Sequence, residues 1–276
     1  MTPVGKALWF IESKIERGAT LAEIAHFAGV TRYHLCRAFG EATGLSVMRY
    51  MRARRLSLAA RQLADGAPDI LTVALDAGYG SHEAFTRAFR EQFATTPEVV
   101  RAQRSLAALT PMEPIRMDEA PRIELAPPRF ETHATLLVAG LGERYRFETN
   151  HGIPMQWHRF IPHIGHVPGQ VGMTTYGVCC NSDGDGNFDY IAGVEVASFD
   201  DLPKEFSRVR IPERRYAVFT HRQVSTMRDA VHFIWSRWLP ASGHEVADAP
   251  DIERYDERFD PATGTGTIEI WIPLQR

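Results

Sequence analysis

Two stretches of this chain repeat one pattern: AGVTRYHLCRAF, Ala28 to Phe39, and AGYGSHEAFTRAF, Ala77 to Phe89. In each, a glycine (Gly29 or Gly78) follows a short apolar helix carrying Ala25 or Ala74, and a new helix starts two or three residues later. A sharp corner between helices often needs positive φ, which glycine adopts without steric cost. Thr31 and Ser81 stand where an N-cap hydroxyl would hold the first free amides. The pattern is a helix-turn-helix written twice. Helical spacing turns Leu35, Ala38 and Phe39 to a core in the first copy, and Phe85, Ala88 and Phe89 in the second. It leaves Arg32, Tyr33, Cys36 and Arg37 outward in one helix, and His82, Glu83, Thr86 and Arg87 in the other. Arginine on such a face can pair bidentately with guanine in a major groove or hold phosphate.

Apolar residues recur at helical spacing from Lys6 to Arg104, which predicts about seven helices. Prolines at 111, 114 and 121 then mark a linker, with the domain boundary between Ser105 and Pro121. Residues 1–108 hold 14 Lys+Arg against 10 Asp+Glu, a balance of +4, and the remainder holds 17 against 24, a balance of −7. A basic module is joined to an acidic one. Three cysteines without CxxC spacing fit a reducing compartment, and no apolar run reaches the roughly 18–20 residues of a membrane span, so a cytoplasmic location is expected.

The run from Thr20 to Arg101 resembles the AraC/XylS DNA-binding domain. Thr20 to Phe39 is similar to its first helix-turn-helix, Arg55-Leu56 with Ala59 to Leu63 to the joining helix, Ile70 to Phe89 to the second helix-turn-helix, and Thr96-Pro97 with Arg101 to the closing motif. Ala94 stands where that motif usually has glycine, and Val100 where it has an aromatic residue. The resemblance implies two recognition helices held by the Val47 to Ala64 helix, entering successive major-groove segments about 34 Å apart. By that resemblance Arg32, Tyr33, Cys36 and Arg37 read one segment of promoter duplex, and His82, Glu83 and Arg87 the other. Basic residues such as Arg52, Arg54 and Arg55 are expected to contribute to promoter binding with marked salt dependence.

Beyond the linker, alternating runs such as ATLLVAGLGERYRFE, FDYIAGVEVAS and GTIEIWIPL predict strands, interrupted by helices near Ile153 to Ile164 and Thr226 to Leu239. The order strand, helix, hairpin occurs twice, predicting a duplicated α+β unit. Alternation puts Asp251, Glu253 and Tyr255 on one side of a strand, and Glu269 with Trp271 on one side of another. A carboxylate among aromatic rings suits a cationic, hydrophobic ligand. The runs GNFDYIAGVEV, IPERRYAVFTH, IWSRWLPASG, PDIERYDERFD and IEIWIP resemble the GyrI-like effector-binding domain, which implies a small-molecule cleft with Glu253 and Tyr255 as its acidic and aromatic pair. Glu195, Trp235, Tyr176 and Trp271 are further candidates for its lining. A helix-turn-helix domain followed by this module is similar to the Rob-type arrangement.

The expected fold is therefore multidomain: an all-α double helix-turn-helix domain at 1–108, a linker at 109–121, and an α+β domain of duplicated β-hairpin and helix units at 122–276. The expected function is a transcription regulator that binds promoter DNA under control of a small molecule, with RNA polymerase as a further partner and neither cofactor nor metal nor membrane. Two alternatives stand beside it. Glu253 could serve a small-molecule hydrolase as general base, or the second domain could bind only a protein partner. DGDGNFD, Asp183 to Asp189, opens like a calcium loop but has Phe188 at position six and Val194 at position twelve, so it reads as a hairpin turn. Pro162 separates His158 from His163 and His166, which argues against a metal site there.

Overall fold

Side-chain caps set where the amino-terminal helices begin. The computed structural model describes residues 2–115, 123–183 and 185–275, with the side chain of residue 148 left out. Hydroxyl or carboxylate caps from Thr2, Thr20, Thr31, Ser46, Asp69, Ser81 and Thr96 open seven helices, α1 (Pro3–Ser13), α2 (Leu21–Ala28), α3 (Arg32–Thr43), α4 (Val47–Ala64), α5 (Ile70–Asp76), α6 (His82–Phe93) and α7 (Pro97–Gln103). The two corner glycines do take left-handed backbone, Gly29 at φ +75° and Gly78 at φ +83°. Ala94 ends α6 at φ 54°, so an alanine accepts the conformation for which glycine is better suited.

The carboxy-terminal part is one eight-stranded antiparallel sheet: β1 (Arg129–His133), β2 (Leu136–Arg146), β3 (Gln170–Cys180), β4 (Asn187–Val196), β5 (Ser207–Ile211), β6 (Arg214–Gln223), β7 (Asp251–Asp260) and β8 (Thr265–Pro273). Its order is β1-β6-β8-β7-β3-β4-β2-β5. The expected duplication is visible: β2, helix α8 (Ile153–Phe160), β3 and β4 form one unit, and β6, helix α9 (Met227–Phe233), β7 and β8 form the other. They meet at the β3–β7 seam, where Gly177 lies opposite Glu253 and Cys179 opposite Asp251. The short edge strands β1 and β5 carried no readable signal. A π-helical turn, Ile234–Trp238, continues α9 into α10 (Leu239–Ser242).

The two helix-turn-helix halves do not share a core. The second packs around Leu56, Leu63, Phe85 and Phe89. The first, with Ile24, Leu35, Phe39 and Tyr50, is continuous with Phe219, Trp235, Ile270 and Ile272 of the sheet domain. The described part of the linker is fastened as well. Ser57 Oγ accepts from Met112 N at 2.8 Å, Arg54 donates to Met112 O at 2.6 Å, and Tyr50 Oη accepts from Ile115 N at 3.2 Å. Residues 116–121 of the predicted linker and residue 122 lie outside the described residues.

Candidate functional site

Strand register divides the candidate residues between two faces of the sheet. Residues paired across a ladder share a face, so Asp251, Glu253 and Tyr255 of β7 lie with Gly177 and Cys179 of β3 and with Tyr190 of β4. Helix α8 covers this face, bringing Trp157 to it. Glu253 Oε2 accepts from Tyr190 Oη at 2.7 Å and from Tyr255 Oη at 2.9 Å, and Trp157 Nε1 donates to Tyr190 Oη at 3.0 Å. The Trp157 and Tyr255 rings meet edge to face at 5.4 Å. Burial raises the Glu253 carboxyl, while the two phenol hydrogen bonds pull it back down. A cation arriving here would compensate a charge that the surroundings only partly stabilise.

Gly177 makes room for this group. A Cβ there would lie 2.2 Å from Tyr190 Oη and 2.7 Å from Glu253 Oε2. Gly177, Tyr190 and Trp157 are thus site residues that sequence reading missed. Tyr190 was detectable, because it shares the alternation of β4, but only the register shows that it reaches Glu253.

Tyr176, Glu195 and Trp271 belong to the opposite face, which corrects their grouping with Glu253. Tyr176 pairs with Arg254 across β3–β7, and Trp271 with Ile252 across β7–β8. Tyr176 Oη lies 3.5 Å from Glu195 Oε2. Glu269 on that face is buried and held by Arg129 at 2.8 Å, Arg254 at 3.1 Å and the Trp271 indole at 3.1 Å. Its lone pairs are committed to structural partners.

The first reading helix departs furthest from expectation. Tyr33, Cys36 and Arg37 are buried, and only Arg32 remains exposed. Helix α3 contacts the Phe147–Gly152 turn on one side and α9 with its π-helical extension on the other. Arg37 Nε donates to Asp251 Oδ2 at 2.9 Å, and its Nη1 lies 3.4 Å from Glu41 Oε1. Its guanidinium carbon sits 5.6 Å from the Phe147 ring, 5.8 Å from Phe188 and 6.0 Å from Trp235. Trp235 also meets His34 at 5.1 Å and Tyr33 at 6.5 Å. Trp235 therefore lines the box around Arg37. Burial pushes the Asp251 carboxyl up to about 6 against the pull of Arg37, and pushes the Cys36 thiol up to about 12.

The second reading helix is open by contrast: Glu83 and Arg87 are exposed, and half-buried His82 pairs with Glu98 at 3.0 Å. Of the basic residues on α4, Arg52 is exposed. Arg54 is not available to phosphate: it grips Glu12 through two 2.8 Å hydrogen bonds, while Arg55 donates to Ile15 O. The Asp183 to Asp189 segment joins β3 to β4, Gly184 in it lying outside the described residues, and Asp183 accepts from the Asn187 amide. Among the described residues no group of three His, Cys, Asp or Glu side chains is placed to hold a metal ion, and no helix is long and apolar enough to cross a membrane.

Comparison with known proteins agrees with both halves. Residues 126–275 match the family model of the GyrI-like small molecule binding domain, and residues 24–103 match a helix-turn-helix domain model. The transcriptional regulator Rob of Salmonella typhimurium is 27% identical, with 98% of this chain and 96% of that protein covered. The right origin-binding protein of Escherichia coli K12 is 26% identical over the same shares. The solved structure of SAV2435 bound to tetraphenylphosphonium covers 54% of this chain and 93% of its own, at 21% identity and a TM-score of 0.44.

Proposed function

The chain belongs to the GyrI-like small molecule binding domain family, joined to an AraC-type helix-turn-helix region, and we propose that it is a transcription regulator whose promoter binding is set by a cationic aromatic effector. The observation that carries the effector reading is the Glu253 carboxylate, held by Tyr190 and Tyr255 beside the Trp157 ring. Such a group attracts a cation through charge and ring faces together and selects against anions. Residues 1–108 are the DNA-reading domain and 122–276 the effector domain, with 109–121 between them. Tyr33, Cys36 and Arg37 with Arg32 read one groove segment, and exposed Glu83 and Arg87 with His82 read the other. RNA polymerase is the further partner of the bound form.

The Salmonella relative is a transcriptional regulator, and the chemistry at Glu253 favours holding a ligand over hydrolysing one. Its Oε2 accepts hydrogen bonds from two phenols, which support the charged form that pairs with a cation.

One pair of variants tests the assignment. Glu253→Gln keeps the shape of the group and removes its charge, so it should weaken tetraphenylphosphonium binding about tenfold or more by calorimetry. Arg87→Ala should leave that binding unchanged and weaken a duplex selected from a random library by about tenfold. Equal cation affinity in wild type and Glu253→Gln contradicts the effector site.

A further inference from the structure

Helix α3 packs between the turn that leads into α8 and helix α9, and Arg37 reaches Asp251 at the β3–β7 seam. Asp251, which holds Arg37, lies two residues from Glu253 on the same strand and the same sheet face. Two residues of extended chain span about 6.6–6.8 Å, so the box around Arg37 adjoins the Glu253 site on one sheet face. That box has the composition of a cation site: one carboxylate and three aromatic rings around a guanidinium.

The fit is close where α3 passes Phe147. A Cβ on Gly40 would lie 2.4 Å from the Phe147 ring. The contact is nonetheless incomplete in its hydrogen bonds. Trp235 Nε1 and Asp251 Oδ1 are buried without a hydrogen-bond partner among the described residues.

We propose that α3 is the internal occupant of the effector cleft: Arg37 fills the box of Asp251, Phe147, Phe188 and Trp235, and the first DNA-reading face is masked until the helix leaves. The proposal rests on the reading of α3 as a DNA-reading helix. One guanidinium then has two alternative destinations, the cleft or the duplex. Only the second reading helix is exposed in the closed form, which limits DNA binding to half of the interface. An effector entering the cleft takes the place of α3, so effector and duplex both bind the open chain.

Asp251→Ala in the full chain tests this from the effector-domain side, away from any DNA contact. Its two readouts are the alkylation rate of Cys36 by iodoacetamide, resolved by peptide mass spectrometry, and affinity for a duplex selected from a random library with the variant. Cys36 is buried in the closed form, with Asp183 and Asp185 of the β3–β4 connection near enough to act on it. Opening should raise its rate at least about tenfold and tighten DNA binding by a similar factor. Phe147→Leu, which loosens the same contact without touching the charge pair, should move both readouts the same way and serves if Asp251→Ala does not fold. Equal Cys36 rates in wild type and a folded variant overturn the masking, whatever the DNA affinity. A gain in Cys36 reactivity with no duplex bound by any chain keeps the masking and refutes the DNA-reading role of α3.

Discussion

Arg37→Ala is expected to destabilise the docked chain by about 3–5 kcal/mol, because it strands the Asp251 carboxylate in a buried site. Removing both charges should cost less than removing the arginine alone. Arg37→Ala/Asp251→Ala deletes the unpaired group together with its partner, and a buried pair replaced as a unit is often close to neutral. A double-mutant cycle by urea unfolding should therefore give a coupling of about 3 kcal/mol or more. Two features bound the effect. Asp251, pushed up to about 6, can take a proton in the single mutant, and the chain can release α3 instead of unfolding. A coupling near zero would mean that the 2.9 Å contact between Arg37 and Asp251 carries no energy.

Gly177→Ala is the second large effect. The new methyl would lie 2.2 Å from Tyr190 Oη and 2.7 Å from Glu253 Oε2, distances no pair of atoms holds without displacement. Gly177 sits in the central seam, paired with Glu253 on one side and Ala192 on the other, so the backbone has little freedom to retreat. The hydroxyl and carboxylate must part instead. Overpacking of this kind costs about 1–3 kcal/mol of stability. Loss of the Tyr190 hydrogen bond should also weaken tetraphenylphosphonium by about tenfold, since Glu253 is no longer held in place. Denaturation midpoints and calorimetry read the two effects separately. Unchanged cation affinity in the folded variant would remove Tyr190 from the site.

Much of this architecture is legible in the residues. Helix boundaries followed from caps and glycines, the joining helix falls at Val47–Ala64 as read, and the strand, helix, hairpin order forecasts the duplicated sheet. Periodicity also turned Leu35 and Phe39 inward and Arg37 away from that local core. Periodicity within one helix says nothing about a second domain covering its other face, so it predicts exposure for Tyr33, Cys36 and Arg37, which are buried. A weaker signal was present. The row Tyr33, Cys36 and Gly40 is apolar or small, whereas the matching row in the second copy is Glu83, Thr86 and Arg90. The covered helix lacks the polarity that a permanently solvated surface keeps. The ligand site was legible along one strand, in Glu253 and Tyr255, but not across strands. Tyr176 looked like a neighbour of Glu253 until the pairing of Gly177 with Glu253 put it on the other face.

If α3 must leave the cleft for either ligand, as proposed above, effector and DNA bind the same open chain. Linkage makes this measurable without knowing the natural effector: whatever factor one ligand adds to the affinity of the other must be returned in full. The direct measurement is calorimetric titration of tetraphenylphosphonium into the wild-type chain, alone and with a saturating selected duplex. Cation binding about tenfold tighter with the duplex present is the expected result. Equal affinity in the two titrations, or weaker binding with DNA, would contradict it.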